Sequence, residues 1–134
     1  MNDADYISVF HRLVLPIAYS YAPEIILVSA GFDAGVNDLL GSYHLTPEVF
    51  GHFIQLIRPL AQGRIVLTLE GGYNLTTTAY SMQICVKALL GDPLPKLSDH
   101  MKIEDGVTAL IENLCDYFGT YWPVLKMDKV LLYR

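Results

Sequence analysis

Two apolar segments, Ile25-Ile26-Leu27-Val28-Ser29 and Arg64-Ile65-Val66-Leu67-Thr68-Leu69, run into glycine, with a helical pattern between them. This grammar constrains the fold more than any other feature of the 134 residues. Strand, helix and strand in that order imply two parallel strands joined by a right-handed crossover. Open α/β sheets bind ligands just beyond the carboxyl ends of their strands. Those ends here carry Ala30-Gly31-Phe32-Asp33-Ala34 and Glu70-Gly71-Gly72-Tyr73-Asn74. A lone carboxylate and a tyrosine at two strand ends suggest half of an active site.

The helical segments complete the order. Tyr6, Val9, Phe10, Leu13, Val14, Ile17 and Ala18 recur three and four residues apart, one stripe of a helix from about Asp5 to Tyr21. Asn2 or Asp3 can cap it, Pro16 should kink or split it, and Pro23 ends it. A strand is expected from Glu24 to Ser29. Thr46-Pro47-Glu48 is a helix start with Thr46 as N-cap, for a helix reaching about Ala61 and stopping at Gly63. After the strand Arg64–Leu69, Thr76 or Thr77 opens a helix that Gly91-Asp92-Pro93 stops. A connector, Asp92–His100, leads to a last helix from about Glu104 to Tyr121 and an irregular tail. The class is therefore α/β. Two strands cannot cover a parallel sheet, so the pattern predicts part of a larger, mainly parallel sheet.

Composition narrows the function. Hydrophobic residues make up 52% and charged residues 17%, which fits strands buried on both faces or a surface that further protein covers. The net charge of -5 and the lack of a Lys/Arg cluster exclude a nucleic-acid-binding patch. No apolar run approaches the roughly 18 residues of a membrane span, and the acidic start Met1-Asn2-Asp3-Ala4-Asp5 is no signal peptide. Cys85 and Cys115 fall in apolar helical patterns without metal spacing, which predicts buried free thiols and a reducing compartment.

On position alone, Asp33 fits a metal ligand, a general base, or an Asx-type brace of the Gly31–Gly35 bend. Paired glycines let backbone approach a ligand, and Tyr73 could then stabilise an oxyanion; the rival is a glycine-rich turn with an aromatic lid. Asp38 is expected to brace its loop. His11 and His52 read as surface or satisfied core residues, and His44 as a loop residue before a ligand. No phosphate-binding loop and no nucleophile–histidine spacing occur.

Val28-Ser29-Ala30-Gly31-Phe32-Asp33-Ala34 and Leu69-Glu70-Gly71-Gly72-Tyr73-Asn74-Leu75 together resemble the zinc-dependent histone deacetylase family. The flanks Asp3-Ala4-Asp5-Tyr6, Leu15-Pro16-Ile17-Ala18, Leu45-Thr46-Pro47-Glu48 and Leu89-Leu90-Gly91-Asp92-Pro93 resemble its class IIb, tubulin-deacetylase-like branch. The resemblance implies the C-terminal portion of an arginase/deacetylase-type three-layer fold. Residues 1–95 would be the C-terminal part of the catalytic domain, and 96–134 its connector, terminal helix and tail. Asp33 matches the last protein ligand of a Zn2+ ion, and Tyr73 the residue that hydrogen-bonds the acetyl carbonyl. Gly71 and Gly72 would line the acetyl-lysine path, with Leu40 at its mouth. A polyamine-deacetylating relative has glutamate at the Leu40 position, so leucine points to acetylated protein of histone or tubulin type, in the cytoplasm and also the nucleus.

Two departures matter. Asn37-Asp38-Leu39-Leu40 stands where the family has Gly-Asp-Pro-Leu. The family's Asp-x-His pair and tandem His-His do not occur in these residues. A catalytic zinc takes typically three protein ligands plus water, and this chain offers one. The expectation is a deacetylase segment that is inactive without the N-terminal part of the domain. The alternatives are a non-catalytic truncated isoform acting as a binding module, or a polyamine deacetylase relative.

Overall fold

The computed structural model describes residues 1–126; the end of the expected tail, residues 127–134, lies outside them. The elements are α1 (Asp3–Val9), a π-helical turn (Phe10–Val14), α2 (Leu15–Tyr21), β1 (Ile26–Gly31), α3 (Pro47–Ile57), a 3-10 turn (Leu60–Gly63), β2 (Ile65–Gly71), α4 (Leu75–Leu90), α5 (Asp105–Phe118) and a final 3-10 turn (Pro123–Lys126).

The expected first helix is continuous rather than split. Asn2 caps it in a capping box with Asp5. Pro16 has no amide to return to the Arg12 carbonyl, and the chain answers by widening into the π turn just before it. The Arg12 carbonyl accepts the Cys115 thiol at 3.4 Å instead. Ala22, in the left-handed region at φ 53°, ends α2.

β1 and β2 are parallel, paired from Ile26 opposite Ile65 to Ala30 opposite Leu69, and an irregularity then sets Gly31 opposite Gly71. Both strands reach about two residues further than the apolar runs suggested, because their glycines still pair. Arg64 Nε donates to the Glu24 carbonyl at 2.7 Å, so Glu24 lies ahead of the ladder. The sheet is covered on one face. Val28 and Leu67 pack towards the core with Phe32, Leu45, Val49 and Ile54, while Leu27 and Val66 on the opposite face are exposed. Of the two explanations for the apolar composition, the described residues show uncovered surface rather than two buried faces.

Other boundaries moved for local reasons. α3 stops at Ile57 because Pro59 follows. Asn74, not Thr76 or Thr77, caps α4, its side chain accepting from the Thr77 amide. α5 is shorter than expected at both ends. Its Val107, Ile111 and Cys115 form a second cluster with Leu125, packed against Val9, Leu13 and Ile17.

Two buried carboxylates tie the N-terminus to the rest. Asp3 Oδ1 accepts the Thr46 amide at 2.8 Å and Oδ2 accepts the Thr46 hydroxyl at 2.6 Å, which is why Thr46 makes no side-chain cap of its own helix. Asp5 Oδ1 accepts the Glu104 amide at 2.8 Å, fixing the start of α5. Asp3 is 1% exposed. Charge-assisted bonds that leave buried donors unpaired when lost cost about 1.5–3 kcal/mol each. Asp3→Ala should therefore lower the stability of the chain by about 3 kcal/mol, read from urea unfolding; a loss under about 1 kcal/mol would contradict this account.

Candidate active site at the strand ends

The turn after β1 is set by Phe32. Its ring is 2% exposed and packs edge-on against Phe50, with centroids 5.0 Å apart. With Phe32 turned inward, the next residue, Asp33, is presented outward and is exposed. The loop then folds back: the Val36 amide donates to the Leu45 carbonyl at 2.9 Å, and the Leu45 amide to the Ala34 carbonyl at 3.1 Å. At Gly41 a Cβ would run into the Asp33 carbonyl, so only glycine closes this loop.

The Asp33 carboxylate lies over the glycines that end both strands. A Cβ on Gly31 would come within 3.2 Å of Oδ1, and one on Gly71 within 3.5 Å of Oδ2. Among the described residues no hydrogen-bond donor reaches either oxygen. The Asx-turn reading of Asp33 is thereby corrected: the brace of this loop is Asp38. Burial first, then the neighbouring Tyr43 and the Asp33 carboxylate, push the Tyr6 hydroxyl above its usual range.

The turn after β2 is built against the first. The Phe32 amide donates to the Gly71 carbonyl at 3.0 Å. Gly72 sits at φ 123°, where a Cβ would also strike the Thr78 hydroxyl. Tyr73 follows, half exposed at 48%, and its amide donates to Asp38 Oδ2 at 2.6 Å. Asn74 caps α4 through Oδ1 while its Nδ2 donates to the Asn37 carbonyl at 2.9 Å, and the Thr77 hydroxyl donates to the Val36 carbonyl at 3.0 Å. The two loops are thus stitched together at four points. The other oxygen of Asp38 accepts the Leu40 and Gly41 amides at 2.8 Å each. The Gly41 amide foremost, with those of Tyr73, Leu40 and Asn74, holds the Asp38 carboxyl below the usual carboxylate range.

The structure therefore gathers Asp33, Gly71, Gly72 and Tyr73 at one end of the sheet, with Leu40 on the adjoining loop, 74% exposed. Among the described residues no histidine joins Asp33 in a metal-holding group of three. His52 Nε2 is paired with the Pro95 carbonyl at 2.8 Å, and the His44 amide donates to the Met1 carbonyl at 3.4 Å. Cys85 is buried, and burial pushes its thiol up to about 12, so it is inert. An apolar cavity of about 700 Å³ is lined by Leu13, Ile17, Ile25 and Trp122 and opens near the start of β1, away from Asp33. The roles of Asn74 and Asp38 across the two loops went unread in the sequence. An Asn one residue before a helix signalled the cap; nothing local signalled the bond from Asp38 to a residue 35 positions away.

Among the described residues no group of three His, Cys, Asp or Glu side chains converges to hold a metal. Asp33 alone still has the chemistry of one ligand. Its carboxylate is accessible, takes no protein hydrogen bond among the described residues, and stands over glycines that leave space beside it.

The two turns thus form one strand-end site on an α/β scaffold. The solved histone deacetylase Clr3, a fission-yeast protein, superposes with a TM-score of 0.89 at 36% identity, over 93% of this chain and 21% of that one, which gives the arginase/deacetylase fold. The histone deacetylase domain family matches residues 1–89. The chain belongs to the zinc-dependent histone deacetylase family, and class IIb fits its relatives. It is 41% identical to human polyamine deacetylase HDAC10 over 130 residues, 97% of this chain and 19% of that protein. It is 39% identical to histone deacetylase 6 of Caenorhabditis elegans over 135 aligned positions, 94% of this chain and 14% of that protein. The chain thus spans about a fifth or less of the length of these relatives.

Proposed function

We propose that these residues form the C-terminal part of a catalytic domain that hydrolyses acetyl-lysine in proteins. Asp33 is one protein ligand of its zinc, and residues outside these 134 supply the others. A bound zinc would polarise the amide carbonyl and activate water. Tyr73 donates its hydroxyl to the carbonyl oxygen as negative charge develops there. Gly71 and Gly72 let the acyl group pass close to the backbone. Products are acetate and free lysine. The observation that carries this reading is the stitching of the Asp33 and Tyr73 turns by Phe32, Asp38, Asn74 and Thr77.

Leu40 supports a protein substrate, because an uncharged side chain on the exposed loop offers nothing to a second cationic nitrogen. The buried Cys85 thiol supports a reducing setting, cytoplasmic or nuclear. The identity to HDAC10 favours a second reading, an acetylated polyamine as substrate.

The test places this chain in the position of the matching segment of Clr3. The chimaera should release acetate from acetyl-lysine peptides at least about tenfold faster than from acetylspermidine, a preference the size of one good polar or apolar discrimination. The opposite preference would establish the polyamine reading. The chain alone, with added zinc, should show no turnover, and turnover that Tyr73→Phe abolishes would overturn the requirement for outside ligands.

A further inference from the structure

We propose that Asp38 is a positioning residue that couples the Leu40 loop to the Tyr73 turn, so that one carboxylate sets both the mouth of the site and its hydroxyl donor. The proposal rests on the deacetylase reading.

A residue that merely braced its own loop would need one oxygen. Asp38 Oδ1 does that work, taking the Leu40 and Gly41 amides in an Asx-type turn. Oδ2 is turned instead to the Tyr73 amide, in the shortest backbone-to-carboxylate bond at this site, 2.6 Å. The recipient is chemically telling. Tyr73 follows two glycines, and Gly72 is at φ 123°, so the chain entering Tyr73 has the least intrinsic stiffness available to it. A charge-assisted bond to its amide fixes the peptide plane from which the Tyr73 side chain departs. Asn37, at φ 60° in the left-handed region that Asn tolerates, delivers Asp38 into this position, and its carbonyl takes the Asn74 side chain. Among the described residues no Lys or Arg pairs with Asp38, so its charge is committed to these amides.

Asp38→Asn separates the two halves of the role. The amide oxygen can keep the Leu40 and Gly41 amides, while its NH2 then faces the Tyr73 amide, donor against donor. Amide exchange on the 134-residue chain should show Tyr73 protected in the parent and fast in Asp38→Asn, with Leu40 and Gly41 protected in both. Equal exchange of the Tyr73 amide in both proteins would overturn the proposal.

The Clr3 chimaera gives the kinetic arm. Asp38→Asn should lower kcat about tenfold with KM within about twofold, in the range of small misplacements of a catalytic group. Asp38→Ala should lower kcat similarly and also shrink the preference for acetyl-lysine over acetylspermidine. In a Tyr73→Phe background, Asp38→Asn should cost less than about twofold more, because it acts through a hydroxyl already gone. A full additive loss there would make Asp38 a structural residue only. If Tyr73→Phe itself left turnover intact, the deacetylase reading would fall, while the exchange result would still decide whether the tie exists.

Discussion

In the Clr3 chimaera, Tyr73→Phe should reduce kcat about 100- to 1,000-fold while KM changes less than about threefold, because one preorganised oxyanion donor is worth that much. The change removes one oxygen and nothing else. Tyr73 is half exposed and its ring stays, so packing is untouched, and the backbone bond to Asp38 does not involve the hydroxyl. A group that binds ground state and transition state alike would raise KM instead. The kcat effect alone therefore identifies a donor that acts as charge develops. Steady-state kinetics on an acetyl-lysine peptide, with circular dichroism to establish the fold, measure it. A loss below about fivefold would assign Tyr73 to a lid rather than to chemistry.

The sequence displayed this site unevenly, for physical reasons. Short apolar runs and period-3.6 stripes are local, so both strands, their parallel order and the helices were legible from Ile25–Ser29, Arg64–Leu69 and the stripes between. Glycines at strand ends are ambiguous, since they lack the propensity signal; Gly31 and Gly71 turned out to pair, carrying the ends of both strands about two residues further. Pro16 was legible as a disturbance, but not its resolution. The π turn frees the Arg12 carbonyl, and the group that takes it, the Cys115 thiol, arrives from α5, 103 positions away. The candidate site followed the same rule. Strand ends announced Asp33 and Tyr73. The bonds that bring their turns together link residues 35 or more positions apart, and no local pattern encodes them.

Asp33→Asn in the same chimaera should lower zinc affinity more than about 100-fold and turnover by at least as much, with stability changed by less than about 0.5 kcal/mol. The magnitude follows from position. Loss of a group that only orients a ligand costs about 10- to 100-fold in metal affinity, and loss of a ligand must exceed it. A neutral amide oxygen is a poor substitute for a carboxylate on zinc. The small stability effect follows from geometry. Asp33 is exposed, and no donor among the described residues reaches its carboxylate, so an isosteric amide breaks no bond of the fold. The pairing of these two results is what discriminates. A turn brace would lose stability and keep metal, and a surface carboxylate would lose neither. Competition with a zinc chelator and urea unfolding on the same preparations measure both quantities. Retention of zinc in Asp33→Asn would remove Asp33 from the metal site, and a stability loss above about 1 kcal/mol would return it to the loop.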